Sequence, residues 1–421
     1  MTDFFEIDPR LALLGEQAEA LCAGQLAAID AIARYNGEKV LAAFGRNKIS
    51  ESHFKGTTGY GYDDRGREGL DRVFADAFGA EDALVRHNFA SGTHTLAVAL
   101  FGVLRPGDRM VSATGTPYDT IQETIGLRGA GQGSLREFGV SYSQLELLPD
   151  GRPDLDAVAA AAKGARMLYI QRSRGYSLRP SLSVAEIAAI AGAAHAANPD
   201  VIVMVDNCYG EFVEKTEPTQ AGADLMAGSL IKNPGGGIAS TGGYIAGRHD
   251  LVEQCSSRLL CPGIGREVGC THDLLRELYL GVFLAPQTVG NALKTAVFAA
   301  ALYQTLGFAV SPAWNAERAD IIQTVLTDGP EQLCAFCRGI QKGAPVDSFV
   351  TPEPWDMPGY ESQVIMAAGA FTLGASIELS ADAPLRPPYA VFMQGGLTWP
   401  TGRAGVMLSA QSMLEAGLLR L

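Results

Sequence analysis

Basic charge is what this chain is short of. Across 421 residues, 33 Lys and Arg stand against 46 Asp and Glu, a formal net charge of −13. Nucleic acid and anionic membrane surfaces reward clustered Lys and Arg, so neither is expected as a partner. An anionic small ligand stays open, because one pocket can be positive on an acidic protein. No run of about 18 uncharged apolar residues occurs, so no membrane span is expected. The opening MTDFFEIDPR has no basic stretch before an apolar one. No secretory leader is therefore expected, and the cytoplasm is the expected compartment. Cysteine is odd in number, seven residues with no dense framework. Cys334 and Cys337 form one CxxC without a second pair at zinc-finger spacing, and LCAFCRG reads as an apolar helix. Six histidines give no HExxH, and no metal is expected. No dinucleotide glycine fingerprint follows the first strand, which ranks a nicotinamide enzyme last. Internal repeats and low-complexity tracts are also lacking.

What is present suits a large buried core, with 47% apolar and 19% charged residues. The length suggests two domains and an arm. The expected parts are a helical arm over 1–55, a large domain over 56–290 and a small domain over 291–421. Pro9 to Tyr35 have helical spacing and composition. The polar, glycine-rich stretch 45–69 reads as a loop, and a helix follows over 70–78. Apolar runs at 109–113, 167–171 and 201–207 read as buried strands, with Ala-rich helices at 154–164 and 183–197 between them. That alternation predicts an α/β fold with a doubly wound, mainly parallel sheet. Residues 271–306 read as a long helix. The remainder, including AFTLGASIELS and YAVFMQG, reads as a smaller α+β domain.

Four features carry chemistry. Lys232 stands in SLIKNPGGG, between an apolar segment and a run of glycines. Glycine lets a bulky cofactor approach the backbone, and a Lys in a dry pocket can form imines. Asp206 ends the apolar run VIVMVD, where the carboxyl ends of parallel strands border a ligand crevice. A carboxylate there can pair with a cation such as a protonated pyridine nitrogen. Ser91, Gly92 and Thr93 open an apolar helix, and a helix N-terminus suits a phosphate. Tyr118 follows the strand at 109–113 and can stack on a planar ring. Each also has a plain reading: a surface Lys, a turn-capping Asp, an ordinary N-cap, a packed Tyr. Their order decides, because helix start, aromatic, Asp and Lys succeed one another as in fold-type I pyridoxal enzymes.

The stretch SGTHTLAVALFGVLRPGDRMVSATGTPYDT resembles the corresponding part of the cystathionine γ-synthase/β-lyase and methionine γ-lyase enzymes, and GSLIK resembles their Ser-x-x-Lys. The whole chain is similar to the bacterial methionine γ-lyase-like group labelled aluminium-resistance proteins. GYGYDD, QRSRGY, VDNCYGEF, SLIKNPGGG and IELSAD carry that likeness over nearly all of 10–421. It implies an aspartate-aminotransferase-like, three-layer α/β/α large domain with a smaller α+β domain. It also implies pyridoxal 5′-phosphate as cofactor, held by Lys232 as a Schiff base. Asp206 would face the pyridine nitrogen and Tyr118 the ring, with Ser91, Gly92, Thr93 and Ser229 on the phosphate. The cystathionine enzymes add a Tyr-x-Arg from a neighbouring subunit. Here Tyr60 or Tyr62 is the counterpart, and no Arg stands two residues after either. Those enzymes also carry a Pro-x-Asn-Pro-like turn near the cofactor's 3′-oxygen, where this chain reads QRSRGYS. Arg172, Arg174 and Tyr176 of that segment, and Arg386 of ADAPLRPPYA, are candidates for a substrate carboxylate. Arg403 is a weaker one.

The resemblance implies a carbon–sulfur lyase of sulfur-containing amino acids, working by β- or γ-elimination through an external aldimine. Lys232 would be the base at Cα, and Tyr118 would assist the leaving sulfur. A homodimer or homotetramer with shared sites is expected. γ-Replacement, transamination or a non-catalytic pyridoxal-binding role are the alternatives.

Overall fold

A computed structural model describes residues 4–129, 131–357 and 362–421. The chain divides into two compact units: residues up to Tyr35 with those from Ala285 onward, and Asn36–Leu284. Among the described residues no helix is long and apolar enough to cross a membrane.

The chain opens with α1 (Pro9–Arg46), which continues well past Tyr35 because EKVLAAFGR keeps supplying helix formers. Next come α2 (Arg65–Phe78), β1 (Asp82–Arg86), α3 (Gly92–Val103), β2 (Arg109–Ser112) and α4 (Asp119–Ile125). Then follow β3 (Ser141–Gln144), α5 (Leu155–Ala162), β4 (Met167–Gln171), α6 (Val184–Ala197) and β5 (Ile202–Asp206). β6 (Leu225–Ser229), β7 (Gly243–Gly247), α7 (His249–Leu259) and α8 (Leu275–Thr305) complete this run. The loop expected over 45–69 is shorter than its composition suggests. α2 starts at Arg65 because the Asp64 side chain accepts from the Arg67 backbone N–H and caps it.

The seven strands form one sheet in the order β1-β7-β6-β5-β4-β2-β3. β3, β2, β4, β5 and β6 run parallel, and β7 is antiparallel to both its neighbours. The mainly parallel sheet is as the sequence predicts. β6 and β7, LMAGS and GYIAG, carry too much glycine to announce themselves as strands. Gly243 is glycine for a packing reason: a Cβ there would lie 2.1 Å from Thr95 Oγ1, so α3 presses directly on β7. One face of the sheet, with Met110, Met167, Tyr169, Ile202, Met204, Leu225, Ala227 and Ile245, packs against Leu96, Val98 and Leu100 of α3 and Leu251 and Val252 of α7. Each such side chain contributes roughly 1.5–3 kcal/mol by leaving water.

The other unit holds β8 (Val310–Ser311), β9 (Gln323–Leu326), α9 (Pro330–Lys342), β10 (Val364–Ala367), β11 (Ser380–Pro384), β12 (Ala390–Gln394) and α10 (Trp399–Glu415). Its sheet is antiparallel, ordered β10-β11-β12-β9-β8. Cys334 and Cys337 lie on α9, the helix their segment predicts. Of AFTLGASIELS only Ser380 enters a strand.

The turn after β5 is held unusually tightly. Strand alternation sends Asp206 to the α3 face and Asn207 to the other. On that second face the fully buried Arg172 donates to Asn207 Oδ1 at 2.8 Å, Gly210 O at 2.9 Å and Glu214 Oε1 at 2.8 Å. Glu217 lies 3.7 Å from the same guanidinium and accepts from Asn207 and from the Phe212 backbone. Asn36 of α1 donates to the Phe212 and Glu214 carbonyls. Glu211 sits in this network, accepting from Tyr244 Oη at 2.8 Å, with its second oxygen unpaired. Burial pushes its carboxyl up to about 8.

A carboxyl raised in the native state keeps a proton that the unfolded chain releases at lower pH. Its ionisation therefore erodes stability as pH climbs from the ordinary carboxylate range toward about 8, and the loss levels off above that. Glu211→Gln is expected to remove this loss, of the order of a few kcal/mol. Denaturant midpoints of the variant should match wild type near pH 5 and exceed it near pH 9, flattening the profile. Equal pH profiles would show that Glu211 ionises without cost.

Candidate active site

Three adjacent parallel strands end together. The same two-residue period that lines the α3 face with Tyr169, Met204 and Ala227 brings Gln171, Asp206 and Ser229 to that face at the carboxyl ends of β4, β5 and β6. The N-terminus of α3 meets them there. A Cβ on Gly92 would lie 3.3 Å from Ser229 Cβ and 3.7 Å from Cys208 Sγ. Ser91 Oγ caps α3 by accepting from His94 N at 3.0 Å, and Thr93 Oγ1 is 2.7 Å from Thr120 Oγ1. The first N–H groups of a helix have no partner within it and carry the positive dipole end.

Asp206 is buried and accepts from Cys208 N at 3.1 Å and Tyr169 Oη at 3.3 Å. No ion-pair partner reaches it among the described residues, and burial raises its carboxyl. Lys232 stands three residues after Ser229, at the start of a short turn (Asn233–Gly235), with its amide on the Ser229 carbonyl at 3.3 Å. Gly235 must be glycine: a Cβ there would fall 1.8 Å from the Leu230 carbonyl oxygen. The Lys232 ammonium donates to Tyr209 Oη at 2.9 Å and lies 4.4 Å from that ring's centroid. Tyr118 precedes α4, fixed by its backbone N–H to Gln171 Oε1 at 2.7 Å. Its ring meets Tyr176 edge-on, centroids 5.9 Å apart.

The structure thus gathers Ser91, Gly92, Thr93, Asp206, Ser229 and Lys232 at one end of the sheet, with Tyr118 and Tyr176 on the loops beside Gln171. Arg172 is different. Strand period points it to the opposite face, where its guanidinium is spent on Asn207, Glu214 and Glu217. That environment gives it a structural role in place of the carboxylate-binding one the sequence suggests. Arg174 is buried, with Nε 3.4 Å from Ser181 Oγ. Tyr60 and Tyr62 are 72% and 63% exposed, rings 5.6 Å apart, on a loop pinned by buried Arg67 to the Gly61 and Gly269 carbonyls. In the other unit, Arg386 is exposed on a tight turn after β11. Arg403 pairs with Glu19 at 2.6 Å and covers Phe298. Two residues escape a reading of the sequence: Gln171, inside QRSRGY, and Tyr209, three positions beyond Asp206. Only the strand ends reveal them.

The residues fit pyridoxal 5′-phosphate. Ser229 Oγ is 1% exposed as a residue and has no hydrogen-bond partner, as a hydroxyl waiting for a phosphate oxygen would be. Gly92 leaves beside it the space a Cβ would fill. Asp206 is a buried carboxylate with no ion pair among the described residues.

The chain is similar to known proteins. The sequence profile of the methionine gamma-lyase family matches residues 12–414. The Uncharacterized protein YnbB of Bacillus subtilis is 49% identical over 405 residues, 96% of each chain. A carbon-sulfur lyase involved in aluminum resistance from Clostridium novyi NT has a solved structure similar at TM-score 0.94, with 46% identity over 97% of each chain. The pyridoxal-5′-phosphate dependent protein YhfS of Escherichia coli, 18% identical, covers 91% of this chain and 96% of its own at TM-score 0.61, a likeness of fold. The fold is that of the aspartate-aminotransferase-like, fold-type I pyridoxal enzymes, and the chain belongs to the methionine gamma-lyase family.

Proposed function

We propose that this protein uses pyridoxal 5′-phosphate to eliminate a thiol from a sulfur-containing amino acid, from Cβ or Cγ. One observation carries the reading. A lysine, a buried carboxylate with no ion pair among the described residues and an unpartnered buried hydroxyl converge where a helix N-terminus meets three strand ends. The family contributes the enzyme class, a carbon–sulfur lyase.

Lys232 would hold the cofactor through its amine, with Asp206 toward the pyridine nitrogen and Tyr118 beside the ring. Ser91, Gly92, Thr93 and Ser229 take the phosphate. The bound cofactor supplies an electron sink that acidifies the bond to hydrogen at Cα. The Lys232 amine would serve as the base that takes the Cα proton. Asp206, ionised beside the ring nitrogen, would keep that nitrogen protonated. Tyr118 delivers a proton to the departing sulfur. The edge-on pair of Tyr118 and Tyr176 would flank the reacting carbon. Arg386 anchors the substrate carboxylate; exposed, it has no ion-pair partner among the described residues. Arg174 is the second candidate. The exposed Tyr60–Tyr62 pair and the arm over 1–55 reach a second copy of the chain, where a tyrosine completes the phosphate site in a homodimer or homotetramer.

Lys232→Ala is expected to cut turnover at least about 10³-fold while leaving the fold intact. Borohydride reduction of the wild-type holoenzyme should put the cofactor's mass on the Lys232 peptide. Mass on another peptide sinks the assignment. Arg386→Ala should raise KM about 10–100-fold with a smaller change in kcat, the loss of a charge-assisted carboxylate pair. If Arg174→Ala does so and Arg386→Ala does not, the anchor is Arg174. Product analysis on a panel of sulfur amino acids should find a keto acid, ammonia and a free thiol. A new amino acid in their place would make the enzyme a transferase.

A further inference from the structure

Gln171 ties the loop after β2 to the end of β4. Its backbone N–H donates to Thr114 Oγ1 at 3.1 Å, and its side-chain Oε1 accepts from the Tyr118 N–H at 2.7 Å. One residue therefore holds that loop at both Thr114 and Tyr118. The other end of its amide donates to the Ser173 carbonyl at 2.9 Å. Arg179 donates to the Gln171 and Ser173 carbonyls, at 2.7 and 2.5 Å, and so fixes the strand end from which the amide projects. Gln171 is 7% exposed, which keeps water from competing for either side-chain bond.

The same segment locates the Tyr118 ring. Gly175 has φ 57°, and a Cβ on it would lie 3.0 Å from Tyr118 Cδ2 and 3.4 Å from Gln171 Nε2. The bare glycine backbone is the surface on which the ring rests. A side chain there would be strained at that φ and would push the ring away. Tyr176 meets the ring edge-on. Backbone anchor, ring floor and ring edge thus all come from residues 171–176.

An amide suits this position where a carboxylate does not. An amide offers an acceptor at one end and donors at the other, and both ends are used here. A carboxylate would accept from Tyr118 but could not donate to Ser173. It would also place a second anion at the strand position paired with Asp206.

We propose that Gln171 is the positioning residue for Tyr118: its side-chain amide sets where the phenol meets the departing sulfur, and it acts only through Tyr118. The proposal rests on the role given to Tyr118 above. Displacing a reacting group by an ångström lowers the rate by up to about a hundredfold.

Two variants test it. Gln171→Glu restores both bonds only while its carboxyl is protonated, with C=O toward the Tyr118 N–H and O–H toward the Ser173 carbonyl. Burial holds that proton to a higher pH than the ordinary carboxylate range. In the holoenzyme, kcat of Gln171→Glu should lie within about threefold of wild type at the acid end and fall about tenfold or more as the new carboxyl ionises. Wild type lacks that limb, and KM should change by less than about threefold. A residue that only braced the fold would move the denaturant midpoint with pH and leave kcat alone. Gln171→Met keeps the length and removes both bonds. In the cofactor-free protein its Tyr118 amide should exchange hydrogen with solvent about tenfold faster, with the β4–β5 ladder as protected as in wild type. If Gln171→Met does not fold, Gln171→Glu carries the exchange measurement above and below its titration. An unmoved Tyr118 amide, or a Gln171→Glu profile parallel to wild type, overturns the proposal and leaves the reading of Tyr118 standing, provided Tyr118→Phe loses turnover. Wild-type turnover in Tyr118→Phe overturns both.

Discussion

The guanidinium of Arg172 fixes the turn on which the site is built. It is fully buried, yet it bonds Asn207, Gly210 and Glu214 and lies beside Glu217. Taking such a charge out of water costs several kcal/mol, and only close partners with good geometry offset that. Here they come from one segment of twelve residues, 206–217. The segment cannot shift without leaving a buried charge unpaired, so it behaves as a rigid insert between β5 and β6. Asp206 stands at its start and Tyr209 in its middle, and both inherit its rigidity. Preorganisation of this kind is what holds reacting groups within a fraction of an ångström.

The strand period divides labour at the same place. On the α3 face, polar groups are left wanting partners: among the described residues Asp206 has no ion pair and Ser229 Oγ no hydrogen bond. On the opposite face they are almost wholly satisfied by Arg172 and its acceptors. A folded chain pays for unsatisfied groups at about 1–3 kcal/mol each. On the ligand face that cost falls beside the strained φ of Tyr209. Local rules are broken where a ligand repairs them.

Much of this was legible in the sequence. The runs at 167–171 and 201–207 read as strands because central parallel strands are apolar on both faces. Lys232, Asp206 and Ser229 were identifiable by their order along the chain. Arg172 was not, because two arginines in QRSRGYS look alike until strand alternation assigns them faces. Tyr209 was hidden by the conformation of its turn: its phenol reaches Lys232 from a φ that an extended or helical reading excludes. α2 was shortened because Arg65 and Gly66 look like loop residues, and the capping Asp64 was read as part of the loop. The strands β6 and β7 were hidden by glycines that exist for close packing against α3 and Glu211.

Asp206 and Glu211 are five positions apart and need opposite charge states. Burial raises both carboxyls. What separates them is which cation each can meet. Asp206 opens toward the ligand face, with a backbone N–H already donated to it, so a protonated ring nitrogen arriving there would restore its ionised form. Glu211 is turned the other way, against Tyr244, and the nearby Arg172 is already spent on Glu214 and Glu217. It keeps its proton at neutral pH and adds no second negative charge behind the site. A single anion facing a bound ring nitrogen would then result from two side chains being placed, one to receive a positive charge and one to be denied it.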